Sequence, residues 1–377
     1  MVNVIIDSNL LFNRFAFYLA NNKGYTFENE SEKKELVKYF HSNISNYIKT
    51  IDNRNVSNIH LVFDYGKSWR ANLKLFESKD DYKKGRNKDA FNKIEFDRTI
   101  ERYKMYLREK ISIHFHRGLE ADDIIAKIAD YYYQDNKSSI IVTSDSDMLQ
   151  LVKSDRDKFV TVYNPDYKIQ KYFIDDEINC NISDTVDTVI LEDFSRFFDE
   201  SNGIMTESNV ISIESLIIEQ SVIINPLEKI LVKVFSGDKT DNIPSSFIKY
   251  NSKSSNSISF GEQGAKTLVQ KLKNENDLPT IDELFYVDDT RKRIAIAIFN
   301  VHGGKDFTQL ETIENNIIRN IQLVVLNQKY QKGFNLENAY QELENNLKSC
   351  QQNNKFDNSL LEGTDFYYEK QSNYFRD

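Results

Sequence analysis

The stretch from Gly118 to Leu151, GLEADDIIAKIADYYYQDNKSSIIVTSDSDMLQL, constrains the fold more than any other part of the chain. Three acids, Glu120, Asp122 and Asp123, open a segment whose apolar residues Ile124, Ile125, Ile128 and Ala129 recur at helical spacing. Acids in a first helical turn also suit the positive end of the helix dipole. Ile140-Ile141-Val142 then reads as a short buried strand, and it runs straight into Thr143-Ser144-Asp145-Ser146-Asp147. Ligand sites in open α/β sheets sit at the carboxyl ends of strands. A helix start and a strand end, each loaded with carboxylates, therefore face one cleft. Crowded carboxylates raise one another's pKa, so such a group makes sense chiefly with divalent cations between its members. All-oxygen donors suit magnesium or manganese.

The strand-end acid recurs. Val2-Asn3-Val4-Ile5-Ile6-Asp7 and Ile59-His60-Leu61-Val62-Phe63-Asp64 each read as a strand closing on an acid. One such ending is commonplace, because Asp is a good turn residue. Three of them in βα alternation point to a mostly parallel sheet, flanked by helices, with acids along its carboxyl edge. An amphipathic helix is expected over 31 to 51, and a further strand over Phe159 to Asn164.

Residues 66 to 93 differ in character: basic side chains outnumber acidic ones, with Trp69 and Tyr82 among them. A lone charge run is commonly a solvated surface. Directly after an acid-ended strand, it reads instead as an arm on which Arg70, Lys83 and Arg86 meet a nucleic-acid backbone. Ile230 to Pro244, ILVKVFSGDKTDNIP, brings Asp238 and Asp241 three residues apart, on one face of a turn or in an Asx-type turn. Gly261 and Gly264 precede or begin a helix with Lys266 and Thr267, where backbone N–H groups can face a phosphate. The spacing to Lys266 is not that of a Walker loop.

Length, 377 residues, allows one large domain or two ordinary ones. Four parts are expected: an α/β domain over 1–174 that includes a basic arch at 66–117, an acidic Ser/Asn-rich insertion at 175–229, a helical region at 230–330, and a polar linker with an aromatic tail at 331–377. Within the last part, a helix is expected around 336 to 348. Hydrophobic content of 40% and charged content of 28% are those of a soluble globular chain, and no apolar run approaches a membrane span. The N-terminus lacks the basic region of a signal peptide. Two isolated cysteines, Cys180 and Cys350, fit a reducing cytoplasm. The net charge of -9 argues against a nonspecific nucleic-acid coat, but clustered carboxylates account for part of it.

Taken in order, Ile6-Asp7, Val62-Phe63-Asp64 with Trp69-Arg70, Tyr82-Lys83-Lys84-Gly85-Arg86, Glu120-Ala121-Asp122-Asp123, Ser144-Asp145-Ser146-Asp147 and Ser236-Gly237-Asp238-Lys239-Thr240-Asp241-Asn242-Ile243-Pro244 resemble the structure-specific 5′-nucleases. That family includes flap endonucleases, 5′-3′ exonucleases and bacteriophage RNase H, and the phage RNase H branch is the most similar. The resemblance spans roughly 1 to 330, with 175 to 225 unmatched. It implies a PIN-like fold with a helical arch and a C-terminal helix–three-turn–helix element that holds duplex DNA. It also implies two Mg2+ (or Mn2+) ions held by Asp7, Asp64, Glu120, Asp122, Asp123, Asp145, Asp147, Asp238 and Asp241. Catalysis would fall to Asp7, Asp64, Glu120, Asp145 and Asp147, with Lys83 and Arg86 clamping the scissile phosphate. Gly261, Gly264, Lys266 and Thr267 match the duplex-binding element, which in the family often carries K+.

The implied reaction is hydrolysis near the 5′ end of a branched or RNA-primed duplex during DNA replication or repair. The implied setting is a monomer in the cytoplasm, or the host cytoplasm for a phage protein, with a single-strand DNA-binding protein or sliding clamp as partner and no membrane. Two features depart from the family: the long gap from Asp147 to Asp238, and the Ser/Asn-rich loop at 251–258. A noncatalytic DNA-binding protein of the same fold would have lost acids, and none is missing. A topoisomerase–primase module would leave Asp7, Asp64 and Gly237-Asp238 without a role, and a PIN ribonuclease lacks the duplex-binding element.

Overall fold

The computed structural model describes residues 2–52, 56–72, 90–108, 110–155, 158–165, 170–174, 221–250, 257–301, 307–331 and 335–349. The arm residues Lys83 and Arg86, and most of the insertion, lie outside them. The first strand, β1 (Val2–Asp7), is flanked by β2 (Val56–Val62) and β4 (Ser138–Val142), and both pair with it in parallel. With β3 (Ser112–His114), β6 (Lys158–Asn164), β7 (Gln170–Ile174) and β8 (Ser221–Ile224), the sheet runs in the order β3-β2-β1-β4-β6-β7-β8. The short β5 (Lys153–Asp155) pairs antiparallel with β6. The pairs from β3 through β6 are parallel, and β6–β7 is antiparallel.

The strand order reverses between β1 and β4. Chain connections leave in opposite directions from such a point and open a crevice at the carboxyl edge. Asp7 ends β1, while Thr143 to Asp147 follow β4, so both sides of the crevice carry acids.

Alternation along the strands sorts the core. Val4, Ile6, Ile59, Leu61, Ile140 and Val142 face helices α1 (Ser8–Lys23), α2 (Glu30–Asp52) and α3 (Lys93–Leu107). Ile5, Val62, Ile141 and Val162 face α4 (Ala121–Gln134). A third apolar cluster joins α5 (Pro226–Ser236), α6 (Glu262–Asn274), α7 (Ile281–Tyr286), α8 (Asp288–Val301) and α9 (Gln309–Val324). Strands β9 (Ile248–Tyr250) and β10 (Ser257–Ser259) form a separate antiparallel pair that brackets the Ser/Asn-rich loop.

Two segments sit differently from the sequence reading. The range assigned to an arch, 66–117, includes α3 and β3, whose Phe96, Ile100, Tyr103 and Leu107 are core residues. The helix expected near 336 to 348 exists as α10 (Glu337–Ser349). It is no part of a detached linker, because Ala339, Tyr340, Leu343 and Leu347 join the apolar cluster around α4.

Arg70 ties these parts together. It lies just past β2 and is 1% exposed. Its guanidinium donates to both Asp123 oxygens at 2.7 and 2.8 Å, to Glu120 Oε2 at 3.2 Å, and to the carbonyl of Leu323 at the end of α9 at 3.1 Å. It also lies 4.6 Å from the Trp69 ring centroid. Asp123 accepts a further bond from Gln331 at 3.0 Å, and Gln331 in turn accepts from the Tyr340 hydroxyl at 2.5 Å. Burial alone would raise the Asp123 pKa, but the Arg70 charge and hydrogen bonds outweigh it and hold the carboxyl below its ordinary value. The expectation that Arg70 contacts a nucleic-acid backbone is therefore corrected: its donors are spent inside the protein. Asp123 is likewise spent on Arg70 rather than aimed at a metal.

Removing one partner of a buried ion pair costs about 3–5 kcal/mol, because the other charge is left unpaired. We expect Asp123→Ala and Arg70→Met each to lower unfolding stability by that order in urea titrations. The double variant should lose less than the sum.

The sheet also buries His60 of β2 and His114 of β3. Their Nδ1 and Nε2 lie 2.9 Å apart, and the Tyr132 hydroxyl is 2.9 Å from His60 Nε2. Burial holds His60 well below its ordinary pKa and brings His114 down to about 4. Unfolded histidines titrate near 6.5, so the unfolded chain binds more protons between those values. This contribution to stability is complete above about pH 6.5 and is lost as the pH falls toward 4. For His114 alone it amounts to roughly 3 kcal/mol. A His114→Gln variant should show a shallower loss than the wild-type chain over that interval in pH-dependent denaturation curves.

Candidate metal centre

Asp7 does two jobs at the end of β1. It caps α1 by accepting the Leu10 N–H at 3.2 Å, and it accepts the Thr143 hydroxyl across the crevice at 2.8 Å. It is 3% exposed. Burial pushes its pKa up to about 7; the two hydrogen bonds oppose the shift, and the carboxylates of Asp145 and Asp64 add to it.

Asp64 reaches over from the end of β2. It accepts from Asn9 at 2.7 Å and from the Ala121 N–H, at the start of α4, at 2.8 Å. A carboxylate there also meets the positive end of the α4 dipole. Glu120 stands beside it as the residue before the helix, held by Ser68 Oγ at 3.0 Å as well as by Arg70. Asp122 is half-buried in the same first turn.

Asp145 follows β4 and accepts the Asp147 N–H at 2.8 Å, which tightens the turn into the short 3-10 helix Ser146–Leu151. Asp147 is raised by burial and by Asp145, and Asp238 adds to this; Lys233 works in the opposite direction and is outweighed. A continuous series of mutually repelling carboxylates results: Asp64, Asp7, Asp145, Asp147 and Asp238.

Asp238 comes from the far side. Asn225 caps α5, Pro226 fills its first position, and Gly237 ends it. Gly237 has φ +72°, and a Cβ there would lie 2.3 Å from the Ile243 carbonyl oxygen, so only glycine fits. The turn that follows is closed by backbone bonds between Asp238 and Ile243. Asp238 Oδ1 accepts the N–H groups of Thr240 at 2.8 Å and Asp241 at 3.4 Å. The Asx-type turn is thus present, and Asp238 Oδ2 is left to meet Lys233 at 2.8 Å. Asp241 is half-buried in this turn.

Lys233, which the sequence reading passed over, sits between Asp147 and Asp238 and pairs with both. Burial disfavours its ammonium, but the two carboxylates outweigh that and hold its pKa above the ordinary value. The one signal in the sequence is a lysine interrupting the apolar run Ile230-Leu231-Val232 and Val234-Phe235.

The donors fit hard divalent cations: oxygen only, several carboxylates, and one of them buried against like charges. Among the described residues, no three such side chains close on a single point as the ligands of one ion; their oxygens turn to local donors instead.

Of the expected duplex-binding residues, Lys266 and Thr267 share one exposed face of α6. Gly261 precedes α6, and Gly264 lies where a Cβ would be 3.2 Å from the Phe260 ring, so its smallness serves packing. Lys266 pairs with Glu262 at 2.7 Å, and the Thr267 hydroxyl donates to the Gln263 carbonyl at 2.9 Å. With Gln263, Gln270, Lys271 and Asn274 these residues make a polar, exposed helix face.

No helix among the described residues is long and apolar enough to cross a membrane. No curated protein shows a significant match to the chain. Solved structures do match. A bacteriophage T5 5′-exonuclease with bound divalent metal ions (zinc) shares 15% identity at a TM-score of 0.52, over 92% of this chain and 99% of that one. A bacteriophage T5 flap endonuclease, in a pseudo-enzyme–product complex with DNA and metal ions, shares 15% identity at a TM-score of 0.51, over 92% of this chain and 100% of that one. At this identity the likeness shows the fold, a PIN-like 5′-nuclease fold. Residues 2–181 match the family described as the 5′-3′ exonuclease, N-terminal resolvase-like domain. That span carries β1, β2, α4 and β4, with every acid of the crevice from Asp7 to Asp147, and over it this part of the chain is similar to the 5′-3′ exonucleases.

Proposed function

We propose that the protein is a metal-dependent 5′-3′ exonuclease and flap endonuclease with RNase H-type activity. It would hydrolyse phosphodiester bonds near the 5′ end of RNA- or DNA-primed duplexes in replication or repair. The observation that carries this reading is the series of carboxylates along the carboxyl edge, with Asp7 buried between Asp64 and Asp145. The metal-bound and DNA-bound T5 relatives support it.

Asp7, Asp145 and Asp64 would hold one divalent ion, and Asp147 and Asp238 a second, with Glu120, Asp122 and Asp241 as further donors. Magnesium or manganese bound there would supply a polarised water and charge neutralisation at the phosphate. The chain's own residues set the geometry. Thr143 and the Leu10 N–H orient Asp7, and the Ala121 N–H and Asn9 orient Asp64. Lys233 balances Asp147 and Asp238, which would otherwise repel each other. Lys83 and Arg86 are assigned to the scissile phosphate on the strength of the family resemblance.

The exposed face of α6 suits a duplex backbone, with Lys266 and Lys271 as cations and Thr267 and Gln270 as hydrogen-bond donors. Gly261 and Gly264 are assigned to this element, with K+ as its proposed ion. A single-strand DNA-binding protein or a sliding clamp is the proposed partner, and the cytoplasm the proposed location.

The test is cleavage of a 5′-labelled flap duplex and an RNA-primed duplex. Wild-type protein should release short 5′ products with magnesium and none with chelator. Asp145→Asn should reduce the rate on the order of 100-fold or more while leaving the fold intact. Full magnesium-dependent cleavage by Asp145→Asn would overturn the assignment.

A further inference from the structure

Two large aromatic side chains stand exposed at the carboxyl ends of neighbouring strands, Tyr65 next in the chain to Asp64 and Phe115 directly after β3. Tyr65 is 43% exposed and Phe115 is 36% exposed. They follow the neighbouring strands β2 and β3, whose ends are kept in step by a 2.9 Å bond from the Phe63 N–H to the His114 carbonyl. Their ring centroids are 5.3 Å apart at an interplanar angle of 52°.

Lys104 of α3 lies beneath them, 1% exposed. Its ammonium is 4.5 Å from the Phe115 centroid, 5.2 Å from Tyr65 and 5.7 Å from Phe63. A buried cation under several rings attracts their faces and fixes their planes. The ammonium also pairs with Glu101 at 2.5 Å, which fixes its place under the rings while Tyr65 and Phe115 keep 43% and 36% of their surface exposed.

The charge pattern around the pair is regular. Each aromatic is followed two residues later by an exposed cation, in Tyr65-Gly66-Lys67 and in Phe115-His116-Arg117. Tyr65 is also the chain neighbour of Asp64, which belongs to the carboxylate series. Ordered rings, flanking cations and a phosphate-cleaving crevice next to them match the chemistry of one occupant: a single-stranded nucleotide, its base on a ring and its phosphates near the cations.

We propose that Tyr65 and Phe115 form a stacking platform for one unpaired nucleobase of the strand whose phosphate enters the crevice, with Lys67 and Arg117 meeting the adjacent phosphates. This rests on the nuclease reading and adds a positioning element to it. Every base has a π-face, so the platform tolerates any sequence while rejecting a base still paired in a duplex.

The experiment uses the full chain and 5′-flap DNA with 2-aminopurine placed in turn at each unpaired position near the junction, in chelator. Wild-type protein should quench fluorescence at one position. Tyr65→Ala/Phe115→Ala should abolish that quench and weaken binding about tenfold, with the melting temperature checked for folding. Tyr65→Phe and Phe115→Tyr should keep both properties, which a purely packing role for the hydroxyl or ring edge would not require. An abasic site at the quenched position should weaken wild-type binding as much as the double variant does, and the two losses should not add. A quench that survives in the folded double variant, or losses that add, would overturn the platform. Magnesium-dependent cleavage by wild-type protein is followed in parallel. Cleavage without any position-specific quench would sink the platform and leave the nuclease reading standing. A quench lost in the variants, with no cleavage by the wild-type protein, would sustain the platform and sink the nuclease reading.

Discussion

The buried pair between Arg70 and Asp123 holds the architecture around the crevice. It joins four places that are far apart in sequence: the chain after β2, the start of α4, the end of α9, and the Gln331–Tyr340 link to α10. Burying a guanidinium is expensive unless every donor finds an acceptor in good geometry. Here the geometry that satisfies it also fixes Glu120 and the first turn of α4. Asp64 then takes the Ala121 N–H of that same turn. The positions of two crevice acids, Glu120 and Asp64, thus depend on a buried ion pair.

On that frame, the crevice gathers charge that the fold alone does not neutralise. Asp7 is buried next to Asp145 and Asp64, with neutral donors as its hydrogen-bond partners. The opposite end of the series is balanced by Lys233. Stability by itself would favour apolar or paired residues at these strand ends. Concentrated like charge at the carboxyl edge of a parallel sheet is the kind of local cost that functional sites carry.

The parts that were legible in the sequence are those with a local signature. β1, β2 and β4 are runs of β-branched residues closing on acids, and α4 has a clear helical period behind an acidic first turn. Their parallel order turns Asp7, Asp64 and Asp145 from separate strand ends into one edge. A helix near 336 to 348 was legible, but its packing on α4 through Leu336, Ala339, Tyr340, Leu343 and Leu347 was not, because local sequence does not say which surface an apolar face meets. Arg70 and Asp123 were misassigned for the same reason. Each reads as a group with its charge to offer outward until Leu323, Gln331 and Tyr340 close the network around them. Lys233 reads as an ordinary helix lysine, since the two acids that give it a role lie 86 residues before it and 5 after it.

The acids in the series Asp64, Asp7, Asp145, Asp147 and Asp238 are proposed to form a binding centre for divalent cations. Anomalous diffraction from crystals soaked in manganese tests it most directly. Manganese peaks are expected between Asp7, Asp64 and Asp145 and next to Asp147 and Asp238, with Lys233 displaced from at least one of its carboxylates. Manganese found only elsewhere on the surface, with Lys233 still bridging Asp147 and Asp238 at saturating metal, would contradict it.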